Sequence, residues 1–260
     1  MMTRNILVVG DCHVEETQDL SRFELLSKLI VKERPDDIVL IGDFLTLNCL
    51  SAWDSDKRMK MEGKRYQLEI EAGNKALDLM TKDLLKLQRK QQKNKSKQYK
   101  PNLIFIEGNH EDRLNRYLEK DPTFAGAVGV RKDLKLDERG FEWIDYRDYK
   151  YINEIGFTHI PHNTVAPISG KYHIHRATDC TVKSVVYGHT HKLETVNKHV
   201  EGMDHLQQVL SVGCFFQEHE DYVKGRRTDY WKGVVLLRSY KPNRYDMETF
   251  ALGRMRRTYG

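Results

Sequence analysis

Three times in the first half of the chain, an apolar run ends on a glycine followed at once by a polar residue. NILVVGD closes at Gly10 and Asp11, DDIVLIGD at Gly42 and Asp43, and PNLIFIEGNH at Gly108, Asn109 and His110. Runs rich in Val, Ile and Leu that lack polar alternation predict strands buried on both faces, as in a parallel sheet covered by helices. Helical segments lie between them. TQDLSRFELLSKLIVKERP offers a capping residue at Thr17, apolar positions at Leu20, Phe23, Leu26, Leu29 and Ile30, and a stop at Pro35. A further helix is expected just beyond His110. The fold class is therefore α/β, with polar side chains displayed at the carboxyl ends of strands, where such sheets bind ligands.

Residues 56–100, between the second and third strands, read as a helical insertion. Its first part is amphipathic; its second, LLKLQRKQQKNKSKQYK, has no apolar face and is almost entirely basic or amide. A solvated helix end is the plain account of such a run, and a contact to nucleic-acid phosphates is the other. From residue 141 the pattern turns to short strands: FEWIDY, KYINEIGFTHI, KSVVYGH, KLETVNKHV, LQQVLSVG and YWKGVVLLRSY. They predict a second, more antiparallel sheet facing the first, with helices outside. Neither an internal repeat nor a linker interrupts the chain, so residues 1–260 are expected to form a single domain.

Composition removes several classes. A chain of 260 residues that is 39% hydrophobic and 31% charged has enough apolar sequence for a large core and is too mixed in sign for a disordered polyelectrolyte. It contains no apolar stretch of bilayer-spanning length, and MMTRNILVVGD lacks a signal-peptide core, so a cytoplasmic protein without membrane attachment is expected. Cys12, Cys49, Cys180 and Cys214 are widely spaced with no CxxC pair and read as reduced thiols. A formal charge of +5 is too mild to mark a nucleic-acid binder by itself.

The strand ends hold the chemistry. Asp11 and His13 follow the first strand, Asp43 the second, and Asn109 and His110 the third; His159 ends INEIGFTHI, and His189 and His191 end VVYGHTH. In an extended segment residues i and i+2 share a side, so His189 and His191 could present two imidazoles to one place, an arrangement that suggests a metal. Each placement alone is ordinary turn chemistry. Together, in order and all at strand ends, they point to a metal centre.

The ordered pattern D-x-H, GD, GNH[ED], a lone H and GHxH stands here as GDCH, GDF, GNHE, FTHI and GHTH, over residues 6 to about 191. It resembles the calcineurin-like metallophosphoesterase superfamily. The resemblance implies a four-layer αββα sandwich of two mixed sheets and two divalent metal ions. One ion would be held by Asp11, His13 and His191, the other by Asn109, His159 and His189, with Asp43 bridging both and His110 free to protonate the leaving group. A mixed carboxylate, amide and imidazole set suits Mn²⁺, with Fe, Zn²⁺ or Ni as alternatives, better than Ca²⁺. The implied reaction is hydrolysis of a phosphate ester by metal-activated water. A phosphodiester of DNA, RNA or a nucleotide is the favoured substrate. A phosphomonoesterase and a catalytically silent nucleic-acid-binding protein on the same fold are the alternatives, the second disfavoured by the full ligand set.

Some residues depart from the pattern. FLTLN after Asp43 lacks both a second acidic residue and the arginine of the protein-phosphatase branch, so protein phosphatase activity is not expected. Asp54 reads as an ordinary loop aspartate. His162 follows Pro161 into a turn and is disfavoured against His159 as a ligand. His173 and His175 match no motif and are expected as bystanders near the mouth of the site, while Cys12 is expected to face away from the metals.

Overall fold

Along β1 (Arg4–Val9), Leu7 and Val9 enter one hydrophobic core while Ile6 and Val8 enter another. A strand with layers on both faces must divide its side chains in this way, because its period is two. The computed structural model describes residues 3–51, 62–162, 168, 170–200, 205–216 and 228–260. After β1 come α1 (Ser21–Glu33), β2 (Asp37–Leu40), α2 (Tyr66–Lys93), β3 (Asn102–Ile106), α3 (Asp112–Lys120), α4 (Val130–Asp133) and β4 (Phe141–Ile144). They are followed by β5 (Lys150–Ile152), β6 (Ile155–Thr158), α5 (His173–Cys180), β7 (Val185–Tyr187), β8 (Leu193–Val200), β9 (His205–Val212), β10 (Gly233–Lys241), β11 (Arg244–Ala251) and α6 (Leu252–Tyr259).

These strands form two sheets, ordered β11-β10-β1-β2-β3-β4 and β5-β6-β7-β9-β8. In the first, β1 to β4 run parallel, β10 pairs antiparallel with β1, and β11 pairs antiparallel with β10. In the second, β6, β7 and β9 run parallel between antiparallel edges β5 and β8. Three cores separate four layers. Phe23, Leu26, Leu77, Met80 and Met255 on α1, α2 and α6 cover Leu7, Val9, Leu40 and Phe105 on the first sheet. Between the sheets, Ile6, Val8, Val39 and Ile104 meet Phe157, Val186 and Leu210. Outside the second sheet, Ile174 and Ala177 of α5 pack on Val185, Tyr187 and Val209. Each fully buried side chain of this size contributes about 1.5–3 kcal/mol. The result is the four-layer αββα sandwich.

Some strands lie elsewhere than the sequence predicts. FEWIDY and YWKGVVLLRSY belong to the first sheet, as β4 and β10, and the second sheet is mixed. The reason is visible in β10, where Val234 to Leu237 are buried in unbroken succession, as befits a strand in the middle of a covered sheet. Its neighbour β11, RYDMETFA, is a polar edge strand that apolar patterning does not reveal. Helix α1 begins at Ser21 rather than at a Thr17 cap; the Asp19 carboxylate accepts from the Ser21 amide at 2.9 Å and its hydroxyl at 2.6 Å. It ends where Arg34 turns left-handed at φ 47°, one residue before Pro35.

Helix α2 carries the amphipathic part of the segment between β2 and β3. Its buried residues run from Glu69 to Leu84 and then cease, which is where the apolar periodicity fails in the sequence. Residues 56–61, Asp54 and the basic residues 224–227 lie outside the described residues. All four cysteines are free thiols, and no described helix is long and apolar enough to cross a membrane.

Candidate metal centre

The loops leaving β1, β2, β3, β6 and β7 meet at one end of the sandwich. They are stitched together by backbone bonds. The Asp43 carbonyl accepts from the amides of Cys12 at 2.9 Å and His13 at 3.0 Å, and the His159 carbonyl accepts from Gly188 at 3.0 Å. His13, Asp43, His189 and His191 all adopt positive φ, between 44° and 66°. Such conformations cost side-chain-bearing residues about 1–3 kcal/mol each and cluster where function requires them.

The side chains of these loops fall into overlapping groups. The ligand atoms of Asp11, His13 and His191 lie within 4.8 Å of one another, as do those of Asp43, His159 and His189, and those of His13, Asp43 and His110. His13 Nε2 and His191 Nε2 are 3.2 Å apart, and His191 Nε2 is 3.0 Å from Asp11 Oδ2. Across the site, His159 Nε2 lies 2.9 Å from Asn109 Oδ1 and 3.3 Å from Asp43 Oδ2. Asp43 Oδ2 stands between the halves, 3.9 Å from His13 Nε2. His159 Nδ1 is fixed on the Ile41 carbonyl at 3.0 Å, so its Nε2 is the atom turned inward. His189 Nδ1 is buried with no hydrogen bond. Convergent imidazole nitrogens and carboxylate oxygens, with one buried nitrogen left unsatisfied, are the donor set a transition-metal ion takes up.

Electrostatics favour the same state. Burial raises the Asp43 carboxyl, but the His159 and His110 imidazoles outweigh it and hold it well below the usual carboxylate range. Burial also lowers His159, yet the Asp43 charge and hydrogen bond win and push it up to about 9. A proton between Asp43 and Asn109 thus occupies a place suited to a cation. Burial, reinforced by the His159 charge, lowers His189 to about 4, leaving it neutral as a metal ligand must be.

The sequence model of the calcineurin-like phosphoesterases matches residues 4–193. The chain belongs to this family. A calcineurin-like phosphoesterase is a metal-dependent phosphoester hydrolase, and the grouped His and Asp side chains fit the divalent ions such chemistry needs. No curated protein matches the chain. A solved crystal structure aligns over 96% of this chain and 100% of its own at 12% identity, with a TM-score of 0.45.

In this phosphoesterase the motif glycines are there for close approach. A Cβ on Gly108 would stand 2.1 Å from the Asp43 amide nitrogen, and one on Gly188 would stand 2.5 Å from Asp11 Oδ1. Glu111, the last residue of GNHE, has a role that strand-end logic does not reveal. Its buried carboxylate accepts from the amides of Asp43 at 3.0 Å, Leu45 at 2.8 Å and Gly108 at 2.9 Å, tying the second loop to the third. Burial and the nearby Asp43 charge push its carboxyl up to about 7 against the pull of these amides. Glu111→Ala would orphan three buried N–H groups at about 1–3 kcal/mol each. We expect a loss of roughly 3 kcal/mol or more in denaturant unfolding, with reduced metal occupancy; unchanged stability would remove the clamp from the account.

His162 stands apart from the ligand groups, its ring 6.4 Å from that of Tyr149. His173 is not at the mouth: it is the first residue of α5, buried against the outer face of the second sheet, with Nδ1 2.5 Å from the Tyr187 hydroxyl. Cys12 turns into the outer core, away from the site. Phe216 and Tyr230 also border the site. Their rings meet His191 edge-on at 5.1 and 4.7 Å and wall one side of the centre, and no motif marks them.

Proposed function

We propose that this protein hydrolyses phosphodiesters of nucleic acid or nucleotides at a two-metal centre. Asp11, His13 and His191 would hold one ion, Asn109, His159 and His189 the other, and Asp43 both. The observation that carries the reading is the placement of Asp43 Oδ2 between His159 Nε2 at 3.3 Å and His13 Nε2 at 3.9 Å, members of different ligand groups. The ions, when bound, supply water activation and countercharge for the phosphoryl oxygens. The Ile41 carbonyl orients His159, and the Glu111 clamp fixes the Asp43 backbone.

His110 is assigned the proton transfer to the leaving oxygen. Its Nδ1 is anchored on the Thr46 carbonyl at 2.7 Å, so Nε2 is the working atom, facing Asp43 Oδ2 at 3.8 Å and Arg113 Nη2 at 3.2 Å. Burial lowers it to about 3, aided by His13 and Arg113, so it is neutral in this state. A phosphoryl group beside Nε2 brings the negative charge that favours the protonated form. Arg116, on α3, donates to the Asn109 carbonyl at 2.8 Å and pairs with Asp112 at 2.9 Å, with much of its side chain exposed. A cation at that rim suits a flanking phosphate, which supports a diester of nucleic acid.

The test is a substrate panel of bis-p-nitrophenyl phosphate, p-nitrophenyl phosphate, single-stranded and duplex DNA, and cyclic nucleotides. Activity is expected to vanish with EDTA, to return with Mn²⁺, and to favour diesters. Turnover in metal-free protein would overturn the mechanism; preference for the monoester would overturn the substrate class.

A further inference from the structure

The opposite end of the first sheet carries a second, differently built concavity. A cavity of about 930 Å³ opens where the strands begin, bounded by Arg4 at the start of β1, Asp36 just before β2 and Asn102 at the start of β3. Six residues of largely extended chain separate Arg4 from Asp11, so the cavity lies about 20 Å from the metal centre. A small ligand cannot span both.

Four cations line this cavity: Arg4, Arg34, Lys97 and Lys100. They face Asp36 on the wall and Asp37 behind it, four positive groups against two carboxylates. Both acids are already engaged. Asp37 is buried and takes a two-point ion pair from Arg4, with Nη2 to Oδ1 at 2.7 Å, and a further bond from Asn102 at 2.9 Å; Asp36 accepts from the Asn5 amide at 2.8 Å. Arg34, Lys97 and Lys100 make no ion pair among the described residues.

The chain holds these groups in place. Arg34 leaves the end of α1 in a left-handed conformation. Lys97 and Lys100 sit on the connection from α2 to β3, which the amide side chains of α2 fasten down. Gln88 Nε2 donates to the Tyr99 carbonyl at 2.9 Å, Gln91 Oε1 accepts from the Tyr99 amide at 2.9 Å, and the Tyr99 hydroxyl donates to the Pro35 carbonyl at 2.6 Å. The basic and amide-rich run is therefore no loose tail. Its glutamines order the connection, and its lysines face a preformed cavity whose size suits one small molecule.

We propose that this cavity is a second anion site, taking a compact phosphate-bearing ligand, a nucleotide or a short phosphate chain, independently of the ester hydrolysed at the metal centre. The partly buried Tyr99 ring supplies an apolar wall, and Gln98 and Asn153 supply amides, the mixture that would receive a base or sugar beside the phosphates.

The test uses the metal-loaded full chain and four probes in equilibrium dialysis: imidodiphosphate, the β,γ-imido analogue of ATP, adenosine and a single-stranded oligonucleotide. It compares wild type with the triple variant Arg34→Gln, Lys97→Gln, Lys100→Gln. Binding at the metal centre is common to both proteins, so the difference belongs to the cavity. The triple variant is expected to lose about tenfold or more in affinity for the phosphate probes, with binding weakened by salt and turnover of bis-p-nitrophenyl phosphate unchanged. Tighter binding of the ATP analogue than of imidodiphosphate identifies a nucleotide; equal binding identifies the phosphate chain as the whole ligand. Equal affinity of the two proteins for both phosphate probes would overturn the site. So would a loss in the triple variant seen only with a single-stranded oligonucleotide, which would make the patch a nucleic-acid surface instead.

Discussion

Asp43→Asn is expected to empty both halves of the centre and to lower kcat/KM on an activated phosphodiester by at least ~10³-fold. The substitution preserves shape and removes charge. Asp43 Oδ2 lies 3.3 Å from His159 Nε2 and 3.9 Å from His13 Nε2, and the residue shares one ligand group with His13 and another with His159, so one change reaches both proposed ions. The backbone role of Asp43 survives, since its carbonyl still receives Cys12 and His13 and its amide still reaches Glu111. Metal analysis and kinetics on the same sample decide the matter. Two tightly held ions per chain and a normal rate would show that the bridge is elsewhere.

His110→Ala should separate proton transfer from metal binding. On an alkyl diester such as DNA the expected loss is about 10²- to 10⁴-fold, the range for a lost general acid. On bis-p-nitrophenyl phosphate it should be distinctly smaller, because p-nitrophenolate leaves as a stable anion. A side chain that merely steadies the phosphate would cost both substrates alike. The ligand reading is a real competitor, because the His110 ring packs edge-on to His13 at 4.5 Å and its Nε2 shares a group with Asp43. Metal content therefore has to be measured alongside kcat/KM: a missing ion, or equal losses on the two esters, would count against the proton-transfer role.

The sequence disclosed the location of the chemistry more readily than its support. Gly-polar pairs after apolar runs placed the loops of β1, β2 and β3 correctly, because a strand buried on both faces has nowhere to show polar side chains except at its ends. His189 and His191 follow β7, but not in the extended conformation that alternation assumes. Both residues have positive φ, so they reach separate groups through a left-handed turn and not by strand pleat. Glu111 was in view inside GNHE, but its partners are backbone amides in another loop, and amides carry no signature in a sequence. Phe216 and Tyr230 arrive from distant chain by tertiary packing alone. The placement of β10 was equally hidden, since an apolar run announces burial without saying beside which strand it is buried.

That placement has a consequence for what counts as the smallest working piece. Every candidate ligand precedes residue 192, and the family match ends at residue 193. Yet β1, which launches Asp11 and His13, is flanked on one side by β10, in register from Arg4 opposite Ser239 to Val9 opposite Val234. The His191 carbonyl receives the Trp231 amide at 2.9 Å, and the Asp11 carbonyl receives Phe215 at 2.7 Å. A fragment ending after GHTH would hold the full inventory of reactive groups but expose a bare, apolar strand edge at the heart of the molecule, open to pairing with other copies of itself. The catalytic parts list closes long before the architecture does, and the last quarter of the chain, silent in every motif, is what keeps the first strand from becoming an adhesive border.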